Sequence, residues 1–186
     1  MTFLIFSGLP GSGKSTVARR LAPRFGLPLL DKDDFLDALF VERGAGNADW
    51  RTSLSREADE RFRIAARQLA GACLVSWWRH PGAASRSGTP TEWLSALSAP
   101  IVEVHCRCRV ATAVERFLAR QRHPGHLDSV RAHSSLVMEF AALDDRPLGI
   151  GPVVDLDAEA EVDNDALLHS IRTALASPSI RIAADA

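Results

Sequence analysis

Residues 8 to 16 carry the densest chemistry in the chain. Gly8, Gly13, Lys14 and Ser15 fall at the spacing G-x-x-x-x-G-K-[ST], with Leu9, Pro10, Gly11 and Ser12 between and Thr16 after. Glycines let a turn wrap until successive backbone N–H groups point into one concavity. At a helix N-terminus that concavity suits phosphate. Lys14 is then long enough to reach the β- and γ-phosphates of a nucleotide, and the Ser15 hydroxyl can ligate Mg²⁺. Gly8, Pro10, Gly11, Ser12, Gly13, Lys14, Ser15 and Thr16 are therefore the candidate nucleotide-binding residues. The chain has only two lysines, Lys14 and Lys32, so any role that needs a lysine falls to one of them.

Asp31-Lys32-Asp33-Asp34 follows a short apolar run and reads as the end of a strand. On a strand Asp31 and Asp33 face the same way. Carboxylates at the carboxyl end of a parallel strand line the ligand crevice. Two tasks suit them: holding a water on Mg²⁺, and orienting or deprotonating a hydroxyl acceptor. Lys32 should point away into solvent, and Asp33 or Asp34 is placed to cap a following helix. Arg116 and Arg120 lie four apart on one helical face, just before Arg122-His123-Pro124-Gly125-His126. Such a break beside a phosphate site suggests a lid whose guanidinium groups meet a transferring phosphoryl group. His123 and His126 read as part of a turn rather than a metal pair. Trp77 and Trp78 either pack at the crevice rim or stack on a ligand. Trp50 and Arg51 are candidates for lining an acceptor pocket.

The elements that must position these groups follow from periodicity. Short apolar runs predict strands over 3–7, 27–30, 72–78, 101–106 and 153–156. Amphipathic spacing predicts helices over 15–25, 35–41, 53–70, 110–120, from Asp128 to about 143, and over 162–175. Thr89-Pro90-Thr91-Glu92 has capping-box spacing before a short helix. Five strands separated by helices imply an α/β fold, a parallel sheet with helices on both faces. The 186 residues suit one domain, taken as 1–176 with a lid at about 116–127 and a tail at 177–186. Basic and acidic residues balance at 22 and 23, which gives no footprint for broad nucleic-acid or membrane-surface binding but leaves room for a local basic groove. Tyr is absent, which excludes tyrosine chemistry. Cys73, Cys106 and Cys108 read as free buried thiols. No run is long enough for a signal segment or a membrane span, and the expected location is the cytoplasm.

The phosphate loop, the Asp31-x-Asp33-Asp34 element and the Arg116-x-x-x-Arg120 pair together resemble the small P-loop kinases. These are the nucleoside-monophosphate-kinase-like proteins, including shikimate, gluconate and adenylylsulfate kinases. Asp33-Asp34-Phe35 is also similar to an element of phage-type polynucleotide kinase and of chloramphenicol phosphotransferase. The resemblance implies a P-loop NTPase fold with sheet order 2-3-1-4-5. It implies a magnesium role for Asp31 beside Ser15, an acceptor role for Asp33, and a lid role for Arg120 with Arg116 or Arg122 as its second arginine. The third strand lacks the usual Walker B aspartate, so magnesium would rest on Ser15, Asp31 and water. The glycine pair that binds the acceptor in shikimate kinase has no clear match at His80-Pro81-Gly82. The expected function is ATP- and Mg²⁺-dependent phosphorylation of a small alcohol: a sugar, nucleoside or antibiotic. A polynucleotide 5′-hydroxyl kinase and an ATP-binding regulatory module or slow ATPase are the alternatives.

Overall fold

The computed structural model describes residues 1–83 and 87–176; the tail expected at 177–186 lies outside them. Five strands, β1 (Phe3–Ser7), β2 (Leu29–Asp31), β3 (Ala72–Val75), β4 (Ile101–Arg107) and β5 (Val153–Asp157), form one sheet in the order β2-β3-β1-β4-β5. Every pairing is parallel. The order is the one the kinase resemblance implied. The described residues form six α-helices around the sheet: α1 (Lys14–Phe25), α2 (Lys32–Arg43), α3 (Ala48–Arg67), α4 (Val110–Ala119), α5 (His133–Ala141) and α6 (Asn164–Ala176). Of these, α1, α3 and α6 pack on its faces. No helix among the described residues is long and apolar enough to cross a membrane.

β1 is central and wholly buried, and its alternation feeds two cores. Leu4 and Phe6 join Val17, Leu21 and Ile171 under α1 and α6. Phe3 and Ile5 join Phe62, Leu74 and Trp78 under α3. Each fully buried Phe or Leu here contributes roughly 1.5–3 kcal/mol. Cys73 and Cys106 lie in the first of these layers and Cys108 in a separate cluster with Leu9, Ala113 and Val114, all three as free buried thiols, and burial pushes Cys73 and Cys106 up to about 12.

Several elements depart from the periodicity reading, and each departure reshapes the site. β2 runs to Asp31, and α2 starts at once with Lys32. The acidic run is thus the first turn of a helix rather than a strand end. The N-cap is Asp31, not Asp33 or Asp34: it accepts from the Asp33 N–H at 3.2 Å. Acidic residues in a first turn favour the helix dipole. β3 ends at Val75 rather than Trp78, because the chain turns there to pair Trp78 with Thr89. Trp78 is buried, with its indole N–H donating to Phe6 O at 2.9 Å. α3 begins earlier than expected, capped by Asn47. The Thr89–Glu92 box is not a cap: Thr91 makes no side-chain capping bond, and the segment forms only a 3₁₀ turn, Glu92–Ala96. Asp128 caps no α-helix; two 3₁₀ turns, Pro124–His126 and Asp128–Val130, precede α5.

Candidate active site

The carboxyl ends of β1, β2 and β3 open onto one cleft of about 1630 Å³. Its donor side is the loop between β1 and α1. Gly8 and Gly11 hold φ at 121° and 86°, and at both a side chain would collide with backbone. A Cβ on Gly8 would lie 2.3 Å from Cys106 O, and one on Gly11 would lie 2.1 Å from Ala113 O. The loop therefore needs glycine there for close approach as well as for conformation. Gly13 caps α1 without a side-chain bond, so the first helical N–H groups stay available to a ligand. The Ser12 hydroxyl is buried with no partner. Lys14 is nearly buried, and its ammonium donates to Gly8 O at 2.9 Å and Leu9 O at 2.6 Å. Burial pulls its pKa down to about 8, with Arg120 adding to the effect. A nucleotide's phosphates would supply the counter-charge that Lys14 lacks.

Ser15 and Asp31 line the cleft together at the start of α1, where the serine hydroxyl favours the charge on the carboxylate. Burial, reinforced by Asp33, raises the Asp31 pKa. Ser15 and Asp31 are two hard oxygen donors beside a loop of available N–H groups, and together they would hold a magnesium ion at a nucleotide's phosphates. Thr16 and Pro10 line the same wall.

The acceptor side is built from residues far apart in sequence. Asp33 stands in the first turn of α2 and keeps 40% of its side-chain surface open to the cleft. Crowding opposes its charge, but Arg122, His126 and Arg120 outweigh that and hold its carboxyl below the usual carboxylate value. Arg122 donates to Asp33 at 2.6 Å and grips both oxygens of Asp128, at 2.8 and 2.9 Å. Arg120, the C-cap of α4, lies over the Phe117 ring at 4.6 Å, and its buried Nε has no partner. It faces Lys14, Asp31 and Asp33 electrostatically. Arg116 lines the cleft too, but donates to Ala158 O at 2.9 Å in the loop after β5. Arg120 and Arg122, rather than Arg116 and Arg120, are thus the pair brought to Asp33. His126 is buried, bonded to Asp37 at 2.7 Å and edge-on to Phe40. This seats the 120–130 segment on α2.

Trp77 lines the cleft and Trp78 does not. Arg51 lines it, held by a bond to His126 O at 3.0 Å, whereas Trp50 bonds back to Gly44 O. Lys32 is not solvated: its side chain is 12% exposed and bonds Ser55 Oγ at 2.7 Å, with Asp59 at 3.3 Å. Sequence reasoning missed Asp59 and Asp128. Asp59 sits among the charges of an amphipathic helix, where one cleft-facing carboxylate looks like its solvated neighbours. Asp128 has the sequence signature of a helix cap, although it also stands six positions from Arg122.

A protein-family profile described as "AAA domain" matches residues 3–142. A shikimate kinase from Mycobacterium ulcerans is 37% identical over 84 residues, which are 45% of this chain and 41% of that protein. The chain thus spans well under half the length of that curated relative. A crystal structure of a candidate kinase from Chloroflexus aurantiacus is similar at a TM-score of 0.76 and 25% identity, covering 94% of this chain and 98% of that one. Shikimate kinase from Bacteroides thetaiotaomicron shares the fold at a TM-score of 0.53 and 16% identity, covering 92% of this chain and 97% of that one. The parallel sheet and its phosphate loop are those of a P-loop NTPase, and the chain belongs to this AAA-domain family.

Proposed function

We propose that the protein is an ATP-dependent phosphotransferase that moves the γ-phosphoryl group onto a hydroxyl of a small molecule, with Mg²⁺ bound between Ser15, Asp31 and the phosphates. The observation that carries this reading is the convergence of Lys14, Asp33, Arg120 and Arg122 on one cleft. A phosphate cradle alone would serve a nucleotide-binding module. An ionised carboxylate across from it, with two arginines beside it, is the equipment of phosphoryl transfer. The family match and the similarity to kinase structures support the same reading.

The loop N–H groups and Lys14 would hold the phosphates, and magnesium when bound would neutralise charge on the bridging oxygens. The acceptor hydroxyl would replace Arg122 at Asp33. Its oxygen then bonds to the γ-phosphorus, its proton passes to the Asp33 carboxylate, and the bond to the β-phosphate oxygen breaks to release ADP. The released Arg122 guanidinium, with Arg120, would meet the charge on the transferring group. Arg116, held at Ala158, is not assigned to that step. The acceptor classes are those expected from sequence: sugar, nucleoside or antibiotic.

The test is a product screen with γ-labelled Mg·ATP against sugars, nucleosides, antibiotics and 5′-hydroxyl oligonucleotides. Label should move to a small alcohol, and Asp33→Asn should slow the movement by about two orders of magnitude or more. Label appearing only as free phosphate, at equal rates with and without Asp33, would contradict the proposal.

A further inference from the structure

We propose that Lys32 and Asp59 recognise the acceptor, and that the acceptor they fit is a ring-shaped molecule with two adjacent hydroxyls. The inference rests on the phosphotransfer reading and concerns the end of the cleft which that reading leaves unassigned.

Lys32 and Asp59 both line the cleft, yet their side chains are only 12% and 19% exposed. That shelter separates them from ordinary surface ion pairs, which contribute little. Removing two charges from water this far is unfavourable unless further hydrogen bonds satisfy them. Two such bonds fall on the pair and a third supports them. Lys32 donates to Ser55 Oγ at 2.7 Å, Thr89 donates to Asp59 Oδ1 at 2.7 Å, and Ser76 meets Thr89 Oγ1 at 2.6 Å. The chain of bonds ties α2, α3 and the end of β3 together at the cleft floor.

The pair is not saturated. Asp59 takes both its contacts on Oδ1, and Oδ2 makes no hydrogen bond among the described residues. Lys32 has three protons and two partners. One acceptor oxygen and one N–H donor are left side by side. That combination matches a vicinal diol, in which one hydroxyl donates and its neighbour accepts. Lys32 and Asp33 line the same cleft, so the diol would be held in the chamber that contains the carboxylate which receives the proton.

An indole wall stands next to this floor. Phe62, three residues beyond Asp59 on α3, meets Trp93 edge-on at 6.0 Å. Trp93 and Trp77 line the cleft, and Trp77 accepts the Thr89 N–H through its backbone carbonyl. A polar edge beside an aromatic face suits a sugar-like ring, which presents hydroxyls at its rim and C–H groups on its face.

The test measures transfer from γ-labelled Mg·ATP to matched acceptors: ribonucleosides beside 2′-deoxyribonucleosides, and hexopyranoses beside the full set of their 2-, 3- and 4-deoxy derivatives, since any one of these alone leaves a second vicinal pair. A diol acceptor should show a KM about tenfold or more below that of its deoxy partner, the loss expected when a sheltered polar pair is left unmatched. Asp59→Asn and Lys32→Met should each raise the diol KM towards the deoxy value, with the deoxy KM unmoved and kcat changed far less than KM. Calorimetric Mg·ATP affinity, unchanged in both variants, confirms that they fold. Equal use of diol and deoxy partners by the wild type, or a KM ratio that survives both substitutions, overturns the proposal and leaves phosphotransfer standing. ATP bound but no acceptor phosphorylated overturns both.

Discussion

The two halves of the cleft are built by different means. The donor half comes from one contiguous stretch, Gly8 to Thr16, whose geometry lies in the backbone: glycine conformations, a helix start, and carbonyls at Gly8 and Leu9 that hold Lys14. The acceptor half is made of side chains that the fold collects from afar. Arg122 meets Asp33 across 89 positions, and Thr89 meets Asp59 across 30. A backbone-built site has little freedom to vary, because altering its ligand means altering the loop. A side-chain-built site can change specificity by single substitutions on the same scaffold. Under the proposed function, the nucleotide side is set by backbone geometry and the acceptor side by side chains.

The largest expected effect falls on the boundary between the halves. Asp33→Asn keeps the shape of the side chain but cannot readily take a proton. Transfer to a true acceptor should fall on the order of 10²–10⁴-fold, the usual range for general acid–base catalysis, as read by single-turnover label transfer. Asp34→Asn should leave transfer within a few-fold, since Asp34 caps nothing and makes no side-chain hydrogen bond among the described residues. A large loss there would blur the division between the two aspartates.

A smaller effect belongs to the donor half. Lys14→Met keeps the methylene stem and removes the ammonium. ATP affinity should fall about 10- to 100-fold, the scale of a charged hydrogen bond of roughly 1.5–3 kcal/mol. Folding should survive, because a sheltered ammonium whose pKa is pulled down to about 8 is no asset to the apo fold. Between pH 8 and 10.5 the unfolded chain binds this proton and the folded chain sheds it, so wild-type stability should rise with pH across that window. Lys14→Met should flatten the rise in urea titrations. Phosphates would restore the ammonium, so ATP binding at pH 8 should take up about half a proton, visible as a buffer-dependent binding enthalpy.

The smallest effect concerns the segment that joins the halves. Asp128→Asn removes the charge that orients Arg122 but leaves Asp33 and Arg120 in place. Stability should drop by about 1 kcal/mol. Arg122 should then hold Asp33 less rigidly, which hydrogen exchange over residues 120–130 would report as faster exchange without nucleotide. Unchanged exchange would mean that His126 and Asp37 alone seat this segment.

Legibility in the sequence follows the same divide. β1, the phosphate loop and α1 were readable because apolar run, glycine spacing and amphipathic repeat are all local. The parallel sheet was readable because alternating strands and helices leave few topologies. The acidic run at 31–34 was misplaced by one element. Its signal was present, since Asp31 followed by Lys32-Asp33-Asp34 is an N-cap with an acidic first turn, but the preceding apolar run pulled the reading towards a strand. Asp33 therefore reaches the cleft from a helix start, held by Arg122, instead of sharing a strand face with Asp31. Lys32 and Asp59 were illegible because pairing between two helices leaves no local spacing to detect. The choice of Arg122 over Arg116 depended on where α4 stops, at Ala119, and helix ends are the least certain part of any periodicity argument.

The most direct test is a paired measurement on wild type, Lys14→Met and Asp33→Asn: Mg·ATP affinity by calorimetry and label transfer in a single turnover, from the same samples. Lys14→Met should lose both, whereas Asp33→Asn should keep ATP affinity within a few-fold of wild type while transfer collapses. If Asp33→Asn binds ATP as poorly as Lys14→Met, or transfers label as fast as wild type, the separation into a backbone-built donor half and a side-chain-built acceptor half is wrong.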